Sequence, residues 1–449
     1  MYGIDEKART WAQIDLGAMK HNLDIAKRTG VKVMCVIKAN AYGHGAVVCG
    51  RFLQENGADA FAVACLSEAV ELRENGITLP VLVLGHTPCE YAKTLADLHI
   101  EQTAVDEEAA RELSAAAKKA GVTVSVHIKI DTGMSRSGVL ARGDEHVKSA
   151  IDAAERITKL ENINVVGMYT HLSVADSPDE DEYTRSQIGY FTAVRDGLEA
   201  RGIHIETCHA SNSAGIMYYP EARFDMVREG IMLYGLYPDS MPNSSGLLKP
   251  VMTLKSRVGQ VRFLPAGTTV SYDRTYKTER ETKTAVVTVG YADGYPRRLS
   301  NSTYAVVNGK RCRQIGRICM DMMILDATDI EVERGDEVTL LGEGAMSMEE
   351  ASQIVGTINY ELTCLVTDRA RRVYIYPESV SACFWARHAL RREWREKHVK
   401  FEKIYVYTAK GPCYNCRATD PWAMFSDSPT KNAANGDMKK RRKLKWTRN

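Results

Sequence analysis

The sequence predicts an α/β protein with an N-terminal (β/α)8 barrel of the TIM type, a mostly β C-terminal domain and a basic C-terminal extension. Short apolar runs carry the barrel: Val31–Ile37, Ala60–Ala64, Val81–Leu84, Ile100–Ala104, Val122–Ile130, Val165–Tyr169, Ile205–Cys208 and Phe224–Val227. Charged, helix-favouring stretches such as EEAARELSAAAKKAG separate them, giving about eight strand–helix alternations in about 200 residues, as a closed parallel barrel needs. The character changes near Leu247. Beyond it, Val-, Thr- and Gly-rich runs such as TKTAVVTVGYADGY and GDEVTLLG read as a β-rich domain ending near Pro377. One short helix is expected there, Ser347 to Val355, where Ser347 and Glu350 have the spacing of a capping box. The predicted domains are residues 1–245, 246–377 and 378–449.

A chain of 449 residues suits two domains and an appendage, and 44% hydrophobic with 26% charged residues suits a globular enzyme. The net charge of +2 hides an asymmetry: from Glu378 onward there are 17 Lys and Arg against 7 Asp and Glu, so the remainder is net acidic. No apolar run approaches the roughly 20 residues of a membrane span, and the polar start MYGIDEKARTW does not read as a signal peptide. The 11 Cys show no disulfide framework; Cys35, Cys65 and Cys208 sit in apolar runs, as reduced, buried thiols of a cytoplasmic protein would. In the extension, ARHALRREWREKHVK reads as a basic helix. The lone CYNC at Cys413–Cys416 lacks a second ligand pair, so no metal is expected. KKRRKLKW reads as part of a solvated, partly disordered tail in preference to a nucleic-acid arm.

In such a barrel, residues just past the C-terminal ends of the strands face the active site. There the sequence places Lys38, then Lys129 and Arg136 in KIDTGMSR, His171 in YTHLSVAD, the turn HASNSAG with Asn212 and Ser213, and Arg228 before Gly230 and Ile231. Burial of Lys38 at the end of an apolar run lowers its pKa and frees a neutral amine for carbonyl chemistry, although a snorkelling lysine is the plainer reading of that residue alone. Small polar residues at a helix start leave N–H groups for a phosphate, although many are only caps. One rim with Lys, Arg and His side chains and two anion-friendly turns is hard to explain as structure alone.

VIKANAYGHG, KIDTGMSRSG, YTHLSVAD, HASNSAG, VREGIMLYG, VSYDRTY, VGYADGYPR, GRICMDM and INYE occur in the order and spacing of the bacterial alanine racemases, and the chain resembles that family from about Arg9 to Pro377. The resemblance implies that Lys38 holds pyridoxal 5'-phosphate covalently and acts as base on one face of alanine. Tyr272 acts on the other face from the partner subunit of a homodimer. His171 stacks on the pyridine ring, Arg228 meets its nitrogen, and Tyr42, Asn212, Ser213, Gly230, Ile231 and Tyr360 hold the cofactor. Arg136, Met320 and Asp321 bind substrate, Lys129 matches a lysine that many members carbamylate, and Tyr291, Arg297 and Arg317 match the substrate entrance. The D-alanine made would serve peptidoglycan. Glu229 stands where proline is common, and Asp273 where glycine is usual. Tyr360 and Met320 favour a small side chain, alanine over serine or lysine.

Three other readings compete with this one. An ornithine- or diaminopimelate-type decarboxylase places a carboxylate at the pyridine nitrogen and carries a cysteine motif; this sequence has Arg228 and lacks that motif. A racemase of broader range differs only in substrate. A single-barrel protein that merely binds the cofactor lacks the second domain and Tyr272.

Overall fold

The computed structural model describes residues 9–238 and 246–377, and the backbone of two short strands at 406–408 and 411–412. The boundary at 245/246 and the segments ARHALRREWREKHVK, CYNC and KKRRKLKW lie outside the described residues.

Strand β1, Thr10–Asp15, precedes the barrel. Barrel strands follow as β2 (Lys32–Val36), β3 (Ala60–Val63), β4 (Val81–Val83), β5 (Ile100–Ala104) and β6 (Val124–Asp131), with the two-residue β7 (Val139–Leu140) beside β6. β8 (Ile163–Tyr169), β9 (Cys208–His209) and β10 (Met226–Glu229) complete the set. They pair in parallel in the order β10-β2-β3-β4-β5-β6-β8-β9. β9 and β10 close the circle by single bonds, Asp225 N–H to Cys208 O (3.1 Å) and Arg228 N–H to Ser211 O (3.0 Å). The barrel is therefore nearly closed.

The sequence sets these elements locally. In the helix Glu107–Ala120, Asp106 accepts from Ala109 N–H (2.7 Å), Glu107 and Glu108 occupy the first turn, and Lys118 and Lys119 the last. This order matches the helix dipole, and Gly121 at φ 67° ends the helix. Its buried side is Ala110, Leu113, Ser114 and Ala117. Strand β9 is shorter than the run Ile205–Cys208 suggests, because Ile205 is buried by packing outside the ladder. Cys35 and Cys208 are buried, but Cys65 is exposed: it ends the β3 run at the rim, where the chain turns into the next helix.

The β-rich domain turns on the 13-residue β11, Met252–Leu264. Further strands are β12 (Thr269–Val270), β13 (Tyr276–Lys277), β14 (Thr282–Val287), β15 (Tyr304–Val307) and β16 (Lys310–Arg313). β17 (Met323–Asp326), β18 (Glu337–Leu341) and β19 (Arg371–Ile375) follow, then β20 (Val406–Thr408) and β21 (Gly411–Pro412) beyond β19. A register shift between Val258 and Gln260 lets β11 pair with β1 and β18 before it and with β14 after it. β1 thus lies between β11 and β19, in the sheet of the C-terminal domain. No short-range signal in TWAQID shows this, since its partners are more than 200 residues away.

The expected capping box is present: Glu350 N–H donates to Ser347 Oγ (3.0 Å) and Ser347 N–H to Glu350 Oε2 (2.9 Å), opening the helix Met348–Val355. A second helix, Asn359–Leu365, was not expected; it is short and Ile358 gives it no side-chain cap. It and β19 tie the two domains together. Asn359 Nδ2 donates to Tyr237 O (2.7 Å), Arg372 Nε to Gly43 O (2.8 Å) and Tyr374 Oη to His44 O (3.2 Å). Gly43 has φ 82°, and a Cβ there would stand 2.2 Å from Thr363 O. Gly43→Ala should therefore destabilise the protein by about 2 kcal/mol or more, through both backbone strain and the lost docking of that helix. Denaturant unfolding checks this.

Candidate active site

Lys38 leaves β2 on an uncommon piece of backbone. Ala39, Asn40, Ala41 and Tyr42 have φ between 51° and 54°, one turn of left-handed helix. Each non-glycine residue in that region costs roughly 1–2 kcal/mol, so the turn needs external support. Glu68 supplies part of it: Oε1 accepts from Ala39 N–H (2.6 Å) and Oε2 from Ala64 N–H (2.8 Å). Asn40 Oδ1 accepts from Ala46 N–H (2.8 Å). The buried His44 ring donates from Nδ1 to the carbonyls of Ala41 and Tyr42, both at 3.0 Å, and burial lowers its pKa to about 4, so it stays neutral. None of Glu68, Asn40 or His44 has a role among the site residues expected from the sequence.

The turn aims Lys38 at a cationic mouth. Burial, and then Arg136, pull the Lys38 ammonium below the usual lysine range. Lys129 is pulled to about 8 by burial and by Arg136 and Arg228, and its Nζ donates to Ser137 Oγ at 2.6 Å. Lys38, Lys129, Arg136 and Arg228 all bear on His171, whose pKa burial has already pushed well below the usual histidine range. Arg228 is buried; its guanidinium donates to His209 Nδ1 (2.8 Å) and to the carbonyls of His209 (3.1 Å), Thr170 (2.7 Å) and Ala210 (2.9 Å). Its Nη2 also reaches His171 Nδ1 at 3.3 Å. Burial lowers the pKa of Arg228 to about 10, so it remains a cation at neutral pH. Such a concentration of positive charge calls for anions.

A cradle of small groups adjoins the mouth. Ser213 Oγ accepts from the N–H groups of Gly230 (3.1 Å) and Met232 (3.2 Å). A Cβ on Gly230 would stand 3.4 Å from Tyr42 Oη and 3.5 Å from Ser213 Oγ, so Tyr42, Ser213 and Gly230 converge. Ile231 opens the buried 3-10 turn Ile231–Tyr234 next to them. The amide of Asn212 is spent on the fold, accepting from Gly215 N–H (2.9 Å) and donating to Leu172 O (3.2 Å). From the second domain, the Tyr360 ring lies 6.2 Å from that of Tyr42.

The remaining expected residues form another group, on the β-rich domain. Tyr272 lies in the connection between β12 and β13 and is 69% exposed. Beside it, Asp273 pairs with Arg317 (3.3 Å) and Arg297 (3.6 Å). Tyr291 and Met320 are exposed, their segments joined by Tyr291 N–H to Cys319 O (3.1 Å). Asp321 accepts from Arg369 Nη2 at 2.7 Å, and Arg369 shares Asp293 with Arg9.

Lysine-centred mouth, adjoining cradle of small groups and appended sheet together define a two-domain barrel enzyme whose site is centred on an amine. Comparison with known proteins gives the family. The model "Alanine racemase, N-terminal domain" matches residues 14–238, and "Alanine racemase, C-terminal domain" matches residues 251–374. The chain is 44% identical to an alanine racemase of Clostridium perfringens over 371 residues, 81% of this chain and 95% of the relative. It is also 44% identical to one of Methanococcus maripaludis over 374 residues, 82% of this chain and 98% of the relative. Among solved structures, alanine racemase of Clostridium difficile 630 superposes with a TM-score of 0.77 at 38% identity, covering 83% of this chain and 97% of that one. Alanine racemase of Bartonella henselae with covalently bound pyridoxal phosphate superposes at 0.72 with 28% identity, covering 82% and 99%. The chain belongs to the alanine racemase family of isomerases.

Glu229 is the oddity of the site. It follows Arg228, is fully buried, and neither carboxyl oxygen has a hydrogen-bond partner. Burial, with Asp24 nearby, raises its pKa to about 8. The folded state thus keeps a proton that the unfolded chain loses above about pH 4.5, and this group's contribution to stability falls as pH rises between those values. Glu229→Gln should gain on the wild type over that window, by at most about 1.4 kcal/mol per pH unit, and hold a constant lead above pH 8. Parallel denaturant melts at pH 5, 7 and 8.5 measure the gap; a gap that does not grow with pH removes Glu229 as the cause.

Proposed function

We propose that this protein interconverts L- and D-alanine with pyridoxal 5'-phosphate, as a homodimer whose two sites each draw on both subunits. The observation that carries the reading is the convergence of a Lys38 amine of lowered pKa with Arg228, Arg136 and the Tyr42–Ser213–Gly230 cradle. The residues fit a ligand with a carbonyl carbon, a phosphate and an acidic oxygen: an amine to hold the first, a cradle for the second, and cations around the third. When bound, that cofactor supplies an electron sink that acidifies the Cα–H of an attached amino acid.

The chain's own groups then divide the work. Tyr42, Ser213, Gly230, Ile231 and Tyr360 hold the phosphate, in a turn that Asn212 shapes. His171, neutral through burial, stacks on the ring. Arg228 would donate a hydrogen bond to the ring nitrogen and, being too weak an acid to give the proton up, would leave that nitrogen unprotonated. An unprotonated ring nitrogen would make the bound group a weaker electron sink, which would favour return of the proton at Cα. Lys38 moves the proton on one face. Tyr272, exposed on the β-rich domain, serves the partner's site on the other face; a phenol hydroxyl is a weak acid and calls for activation by cations, which the mouth holds in plenty. Arg136 takes the substrate carboxylate, with Met320 and Asp321 bounding the small side chain. Tyr291, Arg297 and Arg317 guard the entrance.

Lys129 supports a further part of the reading. An amine whose pKa is about 8 has a free base fraction able to add carbon dioxide, and the resulting carbamate would set an anion among Arg136 and Arg228. D-alanine made in the cytoplasm serves as a peptidoglycan precursor. Serine or lysine racemisation is the competing substrate range.

The test is D-alanine formation from L-alanine by purified protein with pyridoxal 5'-phosphate. Lys38→Ala and Tyr272→Phe should each lose at least about three orders of magnitude in kcat/KM, as loss of an acid–base group does. Mixing the two inactive variants should then restore up to about a quarter of wild-type activity, because a mixed dimer keeps one intact site only if Tyr272 acts across the interface. No recovery on mixing would place Tyr272 in its own chain's site, and no racemisation of alanine, serine or lysine by wild type would end the functional reading.

A further inference from the structure

Below Arg228 the barrel interior holds a buried polar run that the activity leaves unused. Arg228 Nη1 lies 2.8 Å from His209 Nδ1, His209 Nε2 lies 2.9 Å from His127 Nδ1, and His127 Nε2 lies 3.0 Å from Glu101 Oε2. The four residues come from β10, β9, β6 and β5, so the run crosses the barrel from one side to the other.

Donor chemistry settles every proton in it. A guanidinium only donates, so His209 Nδ1 accepts. Burial and Arg228 push the His209 pKa well below the usual histidine range, so the ring is neutral and its one proton sits on Nε2. That proton is donated to His127 Nδ1. His127 in turn holds its proton on Nε2 and donates it to a carboxylate, which only accepts. Packing leaves little slack: Tyr169 stacks on His209 at 5.0 Å and 7°, and a Cβ on Gly167 would stand 2.2 Å from His127 Nδ1.

The run answers a question the site raises. Arg228 is a buried cation whose other acceptors are neutral: three carbonyls and the His171 ring. A buried cation without counter-charge is costly, and hydrogen bonds in series polarise one another, so an anion at the far end acts on the near one. Glu101 is that anion. The charged group beside it, Arg73, is spent on the carbonyls of Ile77, Leu79, Leu98 and His99.

We propose that Glu101 is a positioning residue for Arg228, supplying through His127 and His209 the counter-charge that holds the guanidinium in place and tempers its donation to the ring nitrogen. The consequence for the cofactor rests on the reading of Arg228 given above; the relay itself does not.

The experiment compares wild type, Glu101→Gln and Gly167→Ala, each labelled with 15N in histidine, without and with pyridoxal 5'-phosphate. Wild type should show His127 and His209 each carrying a proton on Nε2 and accepting at Nδ1. Glu101→Gln, which keeps the size and an accepting oxygen but removes the charge, should move the ring signals of both histidines, His209 included although Glu101 does not touch it. Gly167→Ala, which pushes His127 aside with Glu101 intact, should move His209 in the same way. Glu101→Gln should also bind pyridoxal 5'-phosphate about tenfold more weakly, the effect of weakening one hydrogen bond to a charged group. A His209 signal in Glu101→Gln that superposes on wild type overturns the relay, and unchanged cofactor affinity overturns its role at Arg228. Should His209 move while wild type binds no pyridoxal 5'-phosphate, the relay stands and the cofactor reading falls.

Discussion

The left-handed turn from Ala39 to Tyr42 is the constraint around which the molecule is arranged. A right-handed continuation of the chain after β2 would start an ordinary helix and carry Lys38 and Tyr42 to other directions. Four residues in the unfavourable region cost several kcal/mol if each costs roughly 1–2, more than any single hydrogen bond returns. The support is accordingly spread over both domains: Glu68, Asn40 and His44 from the barrel, Arg372 and Tyr374 from β19 of the β-rich sheet. This explains why β1 is threaded through the second sheet before the barrel begins. It places β19, and with it Arg372 and Tyr374, against the turn from the first residues of the fold.

Charge is the second organising term, and it follows from the first. With Lys38 aimed inward, Lys129, Arg136 and Arg228 surround a space in which Asp131 is committed to the loop that follows it, accepting from Gly133 and Ser135 N–H. Burial, and then the positive charge so concentrated, lowers the pKa of both lysine amines, that of Lys129 to about 8, while the arginines hold their protons. One arrangement therefore yields both a nucleophilic amine and fixed cations for anionic ligands. A carboxylate in place of Arg228 would neutralise the mouth and raise the lysine pKa values again.

Much of this was legible in the sequence. The barrel shows in its apolar runs, and Ser347 and Glu350 show their capping box, because both signals are local. Lys38, His171, Arg228 and Ser213 could be singled out because strand ends in a barrel face one rim. What could not be read is what depends on distant partners. TWAQID gives no hint that its neighbours are Met252–Ser256 and Arg371–Ile375, and the helix Asn359–Leu365 is stabilised by docking more than by its own caps. Glu68 looks like any acidic residue in the first turn of a helix. Glu101, His127 and His209 lie on three different strands, and nothing in their spacing shows that they form one run. His209 stands in a conspicuous motif, yet its work is to orient a neighbour, and sequence alone does not separate that from contact with a ligand.

The exposed residues on the β-rich domain complete the logic. The chain gathers four cations at the barrel mouth, Lys129 and Arg228 of them buried, and leaves Tyr272, Tyr291 and Met320 exposed on the β-rich domain. Aromatic and methionine side chains exposed beside Arg297 and Arg317 have the composition of an interface core with a charged rim. Asp273 draws Arg297 and Arg317 together, so replacing the usual glycine with Asp273 organises this patch instead of disturbing it. On the function proposed above, the amine of the barrel and the tyrosine of the β-rich domain are the two halves of one site, and a two-fold homodimer would bring each to the other.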